Sequence, residues 1–189
     1  MVAAERRTVF FRVRETKRDG PVSPEDIVAI RSEEREATRR QWEVWLRGDD
    51  VPGARTRLAI LLCLNDWFLR NWGSLHFHMT QIITEHGCFG TYLFRIGRAP
   101  DPNCYHCLAA SDSPRHTLLE CPAWIVERNT LRDVIGRRLS LQTIIEGAVS
   151  RRETWSIFST FCNTVMRSKE EAQRLRQAQG PQVVRVDPG

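Results

Sequence analysis

Residues 101–124 read DPNCYHCLAASDSPRHTLLECPAW, and this stretch contains the strongest signal in the sequence. Its spacing, C-x2-C-x8-H-x4-C, gathers three cysteines and one histidine within 18 residues. Zinc takes four thiolate or imidazole ligands in a tetrahedron, and two cysteines two residues apart can wrap one turn so that both thiolates face one point. The spacing therefore predicts a zinc site with four protein ligands: Cys104, Cys107, His116 and Cys121.

The composition is that of a folded chain. Of 189 residues, 41% are hydrophobic and 27% are charged, a globular balance that argues against wholesale disorder. The longest apolar run, residues 58–64, is far shorter than the roughly 20 residues that span a bilayer. Arginines interrupt the first 20 residues, so no secretory signal is predicted. We expect a protein that stays inside the cell, where six cysteines favour metal binding over disulfides.

The charge balance permits an anionic partner. The net charge is +5, and arginine accounts for all 28 basic residues except Lys17 and Lys169. The planar guanidinium group suits bidentate contacts with phosphate and carboxylate better than an ammonium group does.

The apolar periodicity predicts a mainly α-helical fold. Ser23 and Pro24 mark the start of a helix over residues 24–47, and Gly48 follows its end. A capping box at Ser150 and Glu153 marks the start of the last helix. Residues 8–14 alternate weakly and allow one short N-terminal strand. Further helices are expected over residues 58–72, 79–85, 88–96, 122–135 and 141–149.

These patterns divide the chain into six segments. They are an N-terminal extension (1–22), an amphipathic helix with an exposed charged middle (23–50), a helical core segment (51–100), the finger (101–124), C-terminal helices (125–180) and a tail (181–189). The last helix carries an apolar stripe of Trp155, Phe158, Cys162, Val165 and Met166. Its second half, residues 167–179, is expected to project into solvent or onto a partner.

Other histidines and cysteines compete for the metal. His106 lies between the first two cysteines and is the weaker ligand, because residues between two converging cysteines usually point away. His86 and Cys88 form an H-x-C pair that can replace or extend the set if the fold brings it close. Two further pairs have structural roles in this interpretation: the core cysteines Cys63 and Cys162, and the unpartnered His76 and His78 on the surface or behind the ligands.

The predicted site is structural rather than catalytic. Four protein ligands, three of them thiolates, close the coordination sphere and leave no position for a reactive water. The sequence contains neither a Lys-Ser/Thr phosphate loop nor a G-x-S-x-G nucleophile motif. We therefore expect no enzyme activity.

The order of these motifs resembles the C-terminal tail of non-LTR retrotransposon reverse-transcriptase polyproteins, with the greatest similarity to insect ribosomal-DNA insertion elements of type 1. The resemblance covers about residues 31–178. It is carried by Arg40-Gln41-Trp42, Trp45, Thr80-Gln81, His86-Gly87-Cys88-Phe89, Tyr92-Leu93, Arg95-Ile96-Gly97, the cysteine pair, His116 to Trp124, Arg128, Trp155, Phe158 and Lys169-Glu170. The chain departs from the family at residues 53–60, where an aromatic residue and Ile-Pro are usual.

The resemblance implies a CCHC zinc finger that helps hold template RNA or target DNA. The sequence contains no Tyr-x-Asp-Asp polymerase motif, so we expect a detached tail without polymerase or endonuclease regions. A nuclear location and a reverse-transcriptase partner are further implications, and no membrane partner is expected.

Two functions remain open from the residues. In the first, a zinc-stabilised module binds RNA or DNA largely without sequence preference, through Arg95, Arg98, Tyr105 and Arg115. Arginine pairs 137/138 and 151/152 are additional candidates, although each arginine can equally be a solvated helix end or pair with a nearby glutamate. In the second, the half-polar helices 25–47 and 169–179 dock onto a polymerase or another protein. Trp124 is expected in the core rather than stacked on a base.

Overall fold

The computed structural model describes residues 2–179, and this part of the chain is mainly α-helical, as predicted. The helices form two compact units that divide between Leu69 and Arg70. The predicted tail, residues 181–189, lies outside the described residues. Nowhere between residues 2 and 179 is a helix long and apolar enough to cross a membrane.

The first unit contains α1 (Val2–Asp19), α2 (Pro24–Arg47), α3 (Ala54–Leu61) and α4 (Leu64–Leu69). The predicted start of α2 is confirmed, because the Ser23 hydroxyl accepts the Asp26 amide while the Asp26 carboxylate accepts the Ser23 amide. At the far end of α2, Leu46 is buried, whereas the neighbouring Trp45 is half exposed.

The predicted N-terminal strand is wrong, since residues 8–14 lie within α1. A weak alternation over seven residues does not exclude a helix, and the described residues include no strand with which it can pair. A helical α1 instead packs along α2. There Arg12 donates to the carboxylates of Glu33 and Glu34 at 2.9 and 2.8 Å.

The single helix predicted over residues 58–72 is also wrong, because α3 ends at Leu61 and α4 begins at Leu64. The Cys63 amide donates to the Ile60 carbonyl, and the Cys63 thiol approaches the Ala59 carbonyl at 3.5 Å. The thiol thus occupies the carbonyl that a continuing α-helix would have bonded to an amide.

The second unit is built around one long helix, α9 (Arg152–Gln179), which is its last element. The elements before it are α5 (Phe77–Thr84), α6 (Gly90–Arg95), a π-helical turn (His116–Glu120), a 3-10 turn (Pro122–Trp124), α7 (Ile125–Ile135) and α8 (Leu141–Ser150). The helices α5, α7 and α8 all pack against α9. The predicted apolar stripe of α9 is buried throughout, and Cys162 within it is a core residue as expected.

The predicted cap of the last helix is wrong, and the expectation for its second half holds only in part. Ser150 is the last residue of α8 and donates its hydroxyl to the Glu146 carbonyl, so it does not cap α9. The distal half of α9 does not simply project into solvent, because Lys169 is buried and the Arg176 guanidinium lies 3.9 Å from the Tyr105 ring centroid. These two basic residues are seven positions apart and so share one face of the helix.

Gly90 permits the close approach of α6 to the finger segment. A Cβ at this position would lie 2.6 Å from the Pro102 carbonyl oxygen and 2.7 Å from that of Asn103. Both obstacles are backbone atoms, which cannot swing aside as a side chain can. The first turn of α6 therefore depends on a residue without a side chain.

Gly90→Ala should destabilise the second unit by about 1–3 kcal/mol, because one of the two backbone segments must shift. Equilibrium urea unfolding of the full chain measures this loss. Gly147→Ala in α8 is the matched control, since its new methyl group would meet side-chain carbons at 3.4 Å. That variant should be neutral or more stable by up to about 1 kcal/mol, and an equal loss in both variants would contradict the steric explanation.

Candidate metal centre

The structure brings the four predicted ligands together. One ligand atom from each of Cys104, Cys107, His116 and Cys121 lies within 4.8 Å of all the others. The Cys104 and Cys121 sulfurs are 3.8 Å apart, and the Cys107 sulfur lies 3.2 Å from His116 Nε2. Within the described part of the chain, no other group of three or more metal-ligating side chains converges in this way. The four residues can therefore hold a metal ion.

The first ligand pair is carried by one tight turn. The Leu108 amide donates to the Cys104 carbonyl at 2.7 Å, and the Cys104 amide donates to the Ala109 carbonyl at 2.8 Å. Within this turn the amides of His106 and Cys107 point at the Cys104 sulfur, and the Ala109 amide points at the Cys107 sulfur. Amides aimed at a sulfur stabilise its thiolate form, which is the form that ligates a metal.

The second ligand pair is carried by the π-helical turn. Its closing hydrogen bond runs from the Cys121 amide to the His116 carbonyl, five residues back, at 2.7 Å. In an α-helix, residues five apart lie about 140° from each other around the axis. The wider π-helical turn reduces this angle and presents imidazole and thiolate on one side. The ligand spacing alone does not indicate this i→i+5 geometry.

Burial disfavours the thiolate form of two of the three cysteines. It raises the pKa of Cys104, and it raises the pKa of Cys121 to about 12. Burial acts in the same direction on Cys107, but hydrogen bonds from the Ala109 amide and the two neighbouring thiols outweigh it, so the pKa of Cys107 is lowered. A bound cation would neutralise thiolates that are otherwise costly in this interior.

Arg128 supports the second ligand pair from behind. Its guanidinium group is buried and donates to the carbonyls of Leu118, Thr117 and Cys121. These carbonyls belong to the π-helical turn and to the ligand that ends it. One side chain on α7 thus fixes the backbone that carries His116 and Cys121.

The competing ligands lie outside the cluster. The His106 ring packs against Trp124, with the two ring centroids 4.7 Å apart. The His86 ring packs edge-on against Tyr92, and the half-buried Cys88 is not among the four converging side chains. The H-x-C pair therefore does not join the converging group. Trp124 is buried, as the sequence indicated.

His76 and His78 are not unpartnered, which corrects the prediction from sequence. His76 caps α5 and its Nε2 lies 2.8 Å from the Ser159 hydroxyl. His78 bridges Asn163 and Glu170, at 2.8 and 3.2 Å. Both histidines bind α5 to α9, so their role is in the packing of helices.

The three candidate arginines lie on the surface of the second unit. Arg95 covers the Tyr92 ring at 5.1 Å, and Arg98 is exposed just beyond α6. Arg115 donates to the Glu120 carboxylate at 2.9 Å, which is the intramolecular pairing considered from sequence. Surface pairs of this kind contribute little to stability, so Arg115 can exchange its partner for a phosphate.

Tyr105 is fixed at the edge of the finger. Its hydroxyl donates to the Asp101 carboxylate at 3.1 Å, while Arg176 covers one face of the ring. More than a third of the residue remains exposed. Its role in binding nucleic acid stays a prediction.

Two buried charged residues near the site were missed as functional candidates. Asp112 lies between the two ligand pairs, and Lys169 reaches it from α9. The sequence offered one weak signal, since Lys169 is one of only two lysines among 28 basic residues.

Comparison with known proteins adds no assignment, because the chain matches no protein-family model, no curated protein and no solved structure.

Proposed function

We propose that the four converging residues bind one zinc ion in a structural role. A tetrahedral zinc with Zn–S bonds of about 2.3 Å holds its sulfurs about 3.8 Å apart. The observation that carries the proposal is the spacing of the ligand atoms, in which the Cys104 and Cys121 sulfurs are 3.8 Å apart and all four atoms fall within 4.8 Å. A set of three thiolates and one imidazole also favours zinc over the hard cations that prefer oxygen ligands.

We further propose that this zinc module binds RNA or DNA and derives from the C-terminal tail of a non-LTR retrotransposon reverse transcriptase. The ligand spacing, the arginine-rich composition and the exposed Arg98 and Arg115 support this function. Arginine contacts with nucleic acid are made mainly to phosphates, and contacts to phosphates carry little sequence preference. A nuclear location and a polymerase of the same element as partner follow from the same proposal. The closed ligand set supports a binding protein rather than an enzyme.

Replacing Arg95, Arg98 and Arg115 together with alanine should weaken binding to RNA and DNA. Each phosphate contact contributes a slope of roughly −0.7 on single strands and −0.9 on duplex to the dependence of log affinity on log salt. We expect the parent to show micromolar affinity, within the roughly 10⁻⁴ to 10⁻⁶ M typical of non-specific binding at physiological salt. The variant should show a flatter slope at unchanged zinc content, which fluorescence anisotropy at several salt concentrations measures.

The matched control is Arg14, Arg18 and Arg31 to alanine, which removes the same charge from the first unit. If the two triple variants lose binding equally, only net charge matters and the three candidate arginines have no special role. If neither variant changes the slope, the surface is not a nucleic-acid interface.

One observation favours a second candidate function. On α2, Val44 and Trp45 are 73% and 49% exposed, and Gln41, Trp42 and Trp45 line a cleft of about 290 Å³. Exposed aromatic and aliphatic groups of this kind are typical of protein contacts. Binding to RNA or DNA that weakens as the salt concentration rises is expected only for the leading function, so its measurement separates the two functions. The distal half of α9, the other predicted docking segment, partly packs against the finger.

A further inference from the structure

Asp112 occupies the segment between the two ligand pairs and is only 4% exposed. Its side chain is not a metal ligand in the converging group. The carboxylate accepts hydrogen bonds from the Gly90 amide at 2.9 Å and from the Thr117 hydroxyl at 3.1 Å. Thr117 follows the ligand His116 directly, so the carboxylate is bonded to the turn that carries the second ligand pair.

Lys169 completes the contacts of this carboxylate. Lys169 is 2% exposed, and its ammonium group lies 2.7 and 2.6 Å from the two Asp112 oxygens. A buried charge is tolerated only with a partner and with its remaining hydrogen bonds satisfied. A lysine provides a compact point charge, whereas an arginine would bring a wide planar fork into the same space.

The backbone of Asp112 extends this connection. Its amide donates to the Pro102 carbonyl at 2.7 Å, and its carbonyl accepts from the Thr91 amide at 3.2 Å. Pro102 precedes the first ligand pair by two residues. Asp112 therefore forms hydrogen bonds with three segments: the start of the finger, the start of α6 and the π-helical turn. Its ion pair with Lys169 connects these segments to α9.

We infer that Lys169 is a positioning residue of the metal centre, and that retention of the metal depends on this side chain from α9. The inference rests on the proposed zinc site. Lys169 is not among the ligands. It holds Asp112 in place, and the hydrogen bonds of Asp112 to Thr117 and Pro102 fix the position of the two ligand pairs relative to each other. The finger is in this respect a part of the helical unit and not an independent module.

Lys169→Met in the full chain tests the inference. Groups that hydrogen-bond a metal ligand typically contribute about 10–100-fold to metal affinity. Lys169 acts one contact further out, so we expect zinc transfer to a colorimetric chelator to be about 10-fold faster than in the parent. Arg174→Met is the matched control. Arg174 lies on the same helix, its side chain is 70% exposed and it pairs with Glu171 on the helix surface, so the transfer rate of this variant should equal that of the parent.

A double variant, Asp112→Asn with Lys169→Met, guards against simple misfolding. Neither of the two buried charges remains. The new side-chain amide oxygen can accept from the Gly90 amide, and its NH2 group can donate to the Thr117 hydroxyl oxygen. We expect parental helicity together with fast zinc transfer. If Lys169 served only to fold the chain, a double variant that keeps the fold would transfer zinc at the parental rate.

Two results would overturn the inference while leaving the zinc site intact. One is parental transfer in Lys169→Met, and the other is parental transfer in the double variant. A parent that holds no zinc would instead show that the proposed metal site is wrong, and the inference would fall with it.

Discussion

Cys107→Ser should abolish stoichiometric zinc binding and unfold residues 101–124. The variant keeps three ligands, and serine does not replace a thiolate as a ligand for zinc. In zinc-finger peptides the apparent binding free energy is about 10–16 kcal/mol and is largely folding free energy. Cys107 is the least buried of the three cysteine ligands, so serine enters without a packing cost that could mimic the effect. Elemental analysis gives the zinc content, and amide hydrogen exchange localises the unfolding.

Cys88→Ser is the matched control for this result. Cys88 is half buried like Cys107 but lies outside the converging group. We expect it to retain one zinc per chain and parental exchange protection in the finger. Zinc retained in Cys107→Ser, or lost in Cys88→Ser, would contradict the assigned ligand set.

Arg128→Met should destabilise the second unit by about 2–5 kcal/mol. The substitution keeps much of the apolar volume but removes the guanidinium donors to the carbonyls of Thr117, Leu118 and Cys121. Each buried carbonyl left without a donor costs about 1–3 kcal/mol. Because these carbonyls belong to the turn that carries His116 and Cys121, zinc affinity should fall together with stability. Urea unfolding and zinc titration measure the two effects.

Arg132→Met is the control one turn further along α7. This side chain is partly exposed and donates to Asn129 rather than to the ligand turn. Its substitution should change stability by less than about 0.5 kcal/mol. If Arg128→Met behaves like this control, the guanidinium group does not support the metal centre.

The ligand group was predictable because its information is local. Cys104 and Cys107 are close neighbours in the chain, and a short turn fixes how such a pair converges. The start of α2 was predictable for the same reason, since Ser23 and Asp26 satisfy each other's amides within one turn.

The errors arose where distant residues decide the structure. The alternation around Arg12 allows a strand, but the partners of Arg12, Glu33 and Glu34, lie on the following helix. Lys169 stands among charged and amide side chains, and its pattern is that of a solvated helix face. Its burial depends on Asp112, 57 residues earlier in the chain. Periodicity along one helix contains no information about such a partner.

X-ray absorption at the zinc edge, on the full chain purified without chelator, tests the central claim most directly. The proposed site predicts one zinc per chain, with three sulfur neighbours at about 2.3 Å and one nitrogen neighbour at about 2.0–2.1 Å. Absence of zinc, or a shell dominated by oxygen or by four nitrogen ligands, would contradict the assignment of Cys104, Cys107, His116 and Cys121 as its ligands.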